Sequence, residues 1–483
     1  MKNLLKLRWM LLLALVFTYS CSNDDDGETE VTPPLSINEF EVQDYIWQGM
    51  NLYYFWQDDV NDLADNRFGN DTEYINFLSK YEDPGDFFNN ILFSEDRFSF
   101  ISDDYTELQN SFQGNTNSSG AEFGLVRFSN SNNIFGYIRY IVPNSDASTK
   151  DIKRGDIFIG VNGQDLNLDN YQELLFGDSN SLTFNMAEFN DAGAIVPNGI
   201  EVSLTKTNLA ENPIFISKTF DANGQKIGYL MYNGFFSNYD TQLNDAFASL
   251  KAEGINNLIL DLRYNPGGSV NTSTNLASMI TGQFTNDLFV KLKYNSKISE
   301  ALGSDNTDYN FRDKLDNNTN INKLNLTTLY VITTGRTASA SELIINGLDP
   351  YISVIQVGAT TTGKNEASVT LYDSPSFRFD DSGLNRNHKW AIQPIISRNE
   401  NADGFSDYTQ GLVPEIEISE DLENLGVLGS EDEPLLARTI QAITGTGAKS
   451  SNKEVVYPIN AFYGSEVATP LKNNMYIDLP SLK

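Results

Sequence analysis

The apolar positions of this 483-residue chain change their spacing as the chain proceeds. Phe40, Val42, Tyr45, Ile46, Met50, Tyr53, Tyr54 and Trp56 recur at helical intervals, as do Tyr74, Phe77, Leu78, Phe87, Phe88, Ile91 and Leu92. This predicts a small helical domain over 37–115. Over 116–208 the pattern shortens to strands separated by turns, near 123–128, 134–141, 156–161 and 200–204, and predicts a β-rich domain. From about 209 to 420 strands alternate with helices. Strands are expected at 227–232, 257–263, 327–333 and 353–357, with helices over 239–250 and 340–348 between them. That alternation is the mark of βαβ units and a parallel sheet. The remainder, 421–483, predicts a terminal helix packed on the core and an irregular end, to which the sequence assigns no chemistry.

A chain of this length exceeds a single ordinary core and divides into several domains. Its formal charge of −32 argues against a nucleic-acid partner, because phosphate binding needs clustered Lys and Arg and no basic stripe is present. The first residues read as an export signal over 1–20: Lys2, Lys6 and Arg8 precede an apolar run that is too short to span a bilayer. Cys21, the only cysteine, follows directly, so disulfides within the chain and cysteine metal clusters are excluded. Its position resembles a bacterial lipoprotein cleavage site; a plain secretory signal with a chance cysteine is the alternative. The resemblance implies lipidation of Cys21, a membrane anchor, and an acidic tether over 21–36 that contains Asp24, Asp25 and Asp26. An exported lipoprotein of the cell envelope is expected, at the outer membrane on its periplasmic or surface face.

One histidine, His388, limits the chemistry further. Histidine-based triads need a base of that type near a nucleophile, and zinc hydrolases need several ligands. His388 lies in the polar stretch Asn385-Arg386-Asn387-His388-Lys389-Trp390 and reads as structural, so neither a metal nor a cofactor is expected.

Two patches carry candidate chemistry. Asp261-Leu262-Arg263-Tyr264-Asn265-Pro266-Gly267-Gly268 is a buried strand running into a turn whose backbone N–H groups no side chain shields. An oxyanion hole needs such donors, although a plain strand-to-helix turn fits this patch equally well. Thr337-Ala338-Ser339-Ala340-Ser341-Glu342 places serines at the start of an apolar helix, where free N–H groups favour developing negative charge. The same residues fit a Ser-x-x-Glu capping box in which Ser339 only satisfies backbone donors. Lys364, in Thr362-Gly363-Lys364, follows Ser339 by 25 residues. One helix and one returning strand can bring the two to the same sheet edge.

Together these motifs resemble the C-terminal processing, or tail-specific, protease family: Asp-Leu-Arg-x-Asn-Pro-Gly-Gly, then Thr-Ala-Ser-Ala-Ser-Glu, then Gly-Lys at that interval. Asp151-Ile152-Lys153-Arg154-Gly155-Asp156-Ile157-Phe158-Ile159-Gly160-Val161-Asn162-Gly163 resembles the signature segment of PDZ domains, and Glu122-Phe123-Gly124-Leu125-Val126 resembles their carboxylate-binding loop. The resemblance implies a multidomain α/β protein with a crotonase/ClpP-like βαβ protease core, a PDZ-like domain and the small N-terminal helical domain. It implies Ser339 as nucleophile, Lys364 as general base, and an oxyanion hole from Ala340 with Gly267 or Gly268. Ser341 is the less favoured nucleophile. The position where many members carry a lysine-orienting glutamine holds Ser368, a shorter group that is the candidate for orienting Lys364, and an aspartate that some members carry is replaced by Pro350. The PDZ-like loop, Phe123, Gly124, Leu125 and Val126, would bind peptide C-termini, making proteins or peptides with exposed C-termini the expected partners. A serine endopeptidase of the envelope is the primary reading. A catalytically weak or inactive peptide-binding lipoprotein of the same fold is the alternative, and a CoA-type enzyme on the same scaffold is disfavoured by the export signal.

Overall fold

A computed structural model describes residues 35–303, 307–445, 461–465 and 474–480. The export signal and Cys21 lie outside the described residues. Among the described residues no helix is long and apolar enough to cross a membrane.

The N-terminal part is helical, as its periodicity predicts. Helices Glu41–Tyr53, Asp71–Leu78 and Pro84–Asn90 start at polar or acidic first turns, and Asn70 and Asp83 cap the second and third through their side chains. Their apolar faces bury Ile46, Met50, Leu78, Phe87 and Phe88, which belong to the same core cluster as the central part of the chain. Strand Phe100–Ser102 then pairs antiparallel with Ala391–Gln393.

The β-rich part contains the strands Ala121–Arg127, Ile134–Ile141, Ile157–Val161, Ser181–Phe189 and Ile195–Thr205, adjacent in that order in one sheet. Asn162 and Gly163 both take positive φ, 53° and 76°, which is the geometry that an Asn-Gly hairpin turn requires. Its core of Leu125, Ile138, Phe158, Phe184 and Leu204 is separate from the central one. The segment expected to be a carboxylate-binding loop lies in strand Ala121–Arg127, whose pairing with Ile134–Ile141 shifts register between Glu122 and Phe123. Its outer edge pairs antiparallel with Ala461–Gly464, from near the C-terminus, in the register Tyr463 to Leu125 and Gly464 to Gly124.

The central sheet has six strands. Ile214–Ala222 pairs antiparallel with Gln225–Tyr232, and Gln225–Tyr232, Asn257–Asp261, Thr328–Thr333, Ser353–Gly358 and Ile416–Glu417 follow in parallel. Helices Asp240–Ala252, Val270–Ile280 and Ala340–Leu348 form the crossovers. The middle strands read as continuous apolar runs because both their faces are covered. Helix Pro434–Thr444 packs near Ile332 and Ile355 in a second cluster beside this sheet. Near the end of the chain Met475–Tyr476 pairs in parallel with Glu366–Ser368, and residues 477–480 that follow form no regular element.

Candidate active site

Three strands of the parallel sheet end side by side, and the loops that leave them meet. The loop after Asn257–Asp261 is held by its own asparagine. Asn265 donates to the Tyr232 carbonyl (2.7 Å), its Oδ1 accepts the Gly267 N–H (2.9 Å), and its carbonyl accepts from the Ala338 N–H (3.2 Å) and from Ser341 Oγ (3.2 Å). Ser341 is thereby committed to the scaffold. Gly267 and Gly268 have φ of 109° and 134°, a region that side-chain-bearing residues avoid. A Cβ on Gly267 would stand 2.7 Å from Ser339 Oγ, so only glycine lets the turn lie against that hydroxyl.

Ser339 itself has φ 66° and ψ −118°, an unfavourable conformation for a serine, immediately before helix Ala340–Leu348. It is fully buried and its Oγ has no hydrogen-bond partner among the described residues. Glu342 caps the helix from its third position: the Ser339 N–H donates to Glu342 Oε2 at 2.7 Å. Among the described residues the Ala340 and Gly268 N–H groups have no recorded acceptor, whereas the Gly267 N–H is spent on Asn265. Of the two glycines named as alternatives from sequence, Gly268 therefore keeps the available donor, and Gly267 provides clearance.

Glu342 does more than cap. Oε2 also accepts the Lys364 N–H (2.9 Å), while Oε1 accepts the Gly363 N–H (2.6 Å) and Thr361 Oγ1 (2.5 Å). One buried carboxylate thus ties the backbone of Ser339 to that of Lys364. The signal for this second role lies in three dimensions, since the 339–342 spacing alone explains the cap.

The Lys364 side chain is fully buried, and its Nζ lies 4.5 Å from the centre of the Phe98 ring. Burial lowers its pKa to about 7, against the opposing fields of Glu366, Asp96 and Glu342. Its amine donates to Asn474 Oδ1, a residue that the sequence did not single out. Ser368, expected to orient Lys364, does not: its Oγ donates to the Met475 carbonyl (2.9 Å) and accepts from Gln393 (3.0 Å). The strand that carries Ser368 turns that side chain toward the C-terminal segment. His388 is held by Asp373 at 2.9 Å and accepts the Trp390 N–H at 3.1 Å, in keeping with its structural reading. Phe123, Gly124, Leu125 and Val126 lie in the other sheet, apart from this cluster, and Ser465 Oγ accepts the Phe123 N–H (2.9 Å).

A buried hydroxyl on a constrained turn, a buried amine held near neutrality and open N–H groups on the adjoining loops define a site of hydrolase type. Residues 226–417 match Peptidase family S41 and residues 41–100 match the Peptidase S41 N-terminal domain. The chain belongs to peptidase family S41. It is 29% identical to a carboxyl-terminal-processing protease of Picosynechococcus sp. over 163 residues, 34% of this chain and 35% of that protein. It is 24% identical to the carboxy-terminal processing protease CtpA of Bacillus subtilis over 278 residues, 57% of this chain and 51% of that protein. The chain thus spans between a third and about half of the length of these curated relatives. A crystal structure of a candidate S41 protease from Bacteroides fragilis superposes with a TM-score of 0.63 at 26% identity, covering 83% of this chain and 97% of that one.

Proposed function

We propose that the chain is a serine endopeptidase in which Ser339 attacks the scissile carbonyl and Lys364 takes its proton. The observation that carries this reading is the environment of Lys364: a dry lysine with a pKa near 7 holds an appreciable neutral fraction at physiological pH. In the reaction the Ser339 proton passes to Nζ as Oγ bonds to the carbonyl carbon, and the resulting oxyanion is received by the N–H groups of Ala340 and Gly268. The protonated lysine then returns its proton to the leaving amine, and water repeats the sequence on the acyl-enzyme. Asn474 must release the amine before it can serve Ser339.

The strand-edge geometry of Ala121–Arg127 supports recognition of extended peptide tails by strand addition. Export and acylation at Cys21 complete the proposal, and metabolic labelling with a fatty acid should mark the wild-type chain and leave Cys21→Ser unlabelled. Ser339→Ala and Lys364→Ala are each expected to lower cleavage of an unstructured peptide by about 10³-fold or more with thermal unfolding little changed. Cleavage retained by either purified variant would refute the dyad.

A further inference from the structure

The last described residues enter both places that the proposed function gives to substrate. Ala461–Gly464 adds to the outer edge of Ala121–Arg127, with the Tyr463 ring packed edge-on against Tyr171 and Phe176 at 5.2 and 5.5 Å. Residues 474–477 run as an extended segment between the Gly268 turn and strand Glu366–Ser368, bonded on both flanks. On one flank the Tyr476 N–H donates to the Gly268 carbonyl (3.1 Å), beside the glycine turn at Ser339. On the other, Ser368 Oγ donates to the Met475 carbonyl (2.9 Å), and the Ile477 N–H donates to the Ser368 carbonyl (3.1 Å). Backbone donors and acceptors on two sides, with side chains seated between them, are how a cleft holds any extended chain regardless of sequence.

The side chains supply selectivity. Met475 is fully buried, Ile477 nearly so, and the Tyr476 ring stacks edge-on against Phe112 at 4.4 Å. Asn474 presents its amide oxygen to the Lys364 amine, while its Nδ2, also buried, has no partner among the described residues. A neutral amide can hold the amine without the field of a carboxylate, which would keep the lysine charged. A segment built only to support the fold would have no need to consume the base.

We propose that residues 474–478, Asn-Met-Tyr-Ile-Asp, are an intramolecular ligand of the substrate cleft that blocks Lys364 at rest, and that the cleft accepts in their place extended peptides with an apolar-aromatic-apolar triplet. This rests on the proposal above that substrate meets Ser339, Lys364 and the Gly268 turn. Being tethered, the segment competes at an effective concentration in the millimolar range, as short linkers typically provide. A substrate that also adds a strand to Ala121–Arg127 displaces both contacts and so opens the site in proportion to how completely it matches.

The test uses the full chain carrying Ser339→Ala, so that nothing is cut, with either the natural segment or Met475→Asp together with Ile477→Asp. Binding of a fluorescent peptide with the sequence of 474–480 is read by anisotropy, and both chains are checked by thermal unfolding. The substituted chain should bind the peptide at least tenfold more tightly than the natural one. Equal binding by both, or binding by neither while both are folded, overturns the proposal. If the double substitution unfolds the chain, Met475→Ala takes its place, and hydrogen exchange at Tyr476 and Ile477 is followed in the unsubstituted segment with the peptide in excess. Exchange must accelerate there; unchanged protection overturns the proposal. Because the binding measurement needs no catalysis, failure of the Ser339–Lys364 dyad would leave it standing and would appear only as missing cleavage.

Discussion

Lys364 gives the site its pH response. Burial disfavours its charged form and brings the pKa to about 7, with Glu366, Asp96 and Glu342 pulling upward and Arg97 downward. The proposed dyad needs the deprotonated amine, so activity should be lost as the pH falls through that region and reach a plateau above it. A profile of kcat/KM against pH for the natural chain should rise with unit slope below pH 7 and level about one unit above it. A profile flat from pH 5 to 9 would remove Lys364 as the base. Ser339 and Lys364 could be singled out in sequence because the motifs around them specify both residue types and the interval between them. The orienting role given to Ser368 was not, because a position four residues along a strand says nothing about which neighbour the side chain meets; it meets Met475 and Gln393.

At the scale of elements, the strand-helix alternation from 209 onward was readable from apolar runs, and helix Ala340–Leu348 has the predicted limits. What periodicity could not show is that Glu342, at the third position of that helix, reaches across to the loop of Lys364. It collects two backbone N–H groups and one hydroxyl from Thr361, Gly363 and Lys364 besides that of Ser339. Glu342→Gln replaces one acceptor oxygen by an N–H₂ group facing donors. The substitution should lower kcat roughly 100-fold with little change in KM, and lower stability by about 2–3 kcal/mol. A variant with normal turnover in a steady-state assay would show that the tie does not position the site. The two C-terminal strands escaped the sequence for a related reason. They are four and two residues long and pair with partners more than 100 residues away, so no local pattern announces them.

For the molecule as a whole, the deciding feature is the buried cluster around Arg263. Its guanidinium is fully buried between Asp261 and Glu433, with Glu420 at 3.4 Å. Arg154, from the β-rich part, binds Glu420 at 2.7 Å and the Tyr264 hydroxyl at 2.6 Å. Burial alone would raise the Glu420 pKa, but Arg154 and Arg263 together lower it. Asp261, Arg263 and Tyr264 belong to the motif that the sequence marked for chemistry, yet their side chains join parts of the fold while Asn265 and the glycines serve the site.

An oily seam lets two bodies slide by an ångström at small cost, but a joint of charges does not: displacing Arg154 that far takes from the buried Glu420 carboxylate its nearer cation and leaves it Arg263 at 3.4 Å and the Tyr264 hydroxyl. Heat should therefore take both sheets apart in one step, seen as a single calorimetric endotherm. Arg154→Leu, expected to lose about 3 kcal/mol, should split that endotherm so that residues 116–208 melt first. One undivided endotherm in the variant would mean that the two sheets owe their shared melting to something other than this clasp.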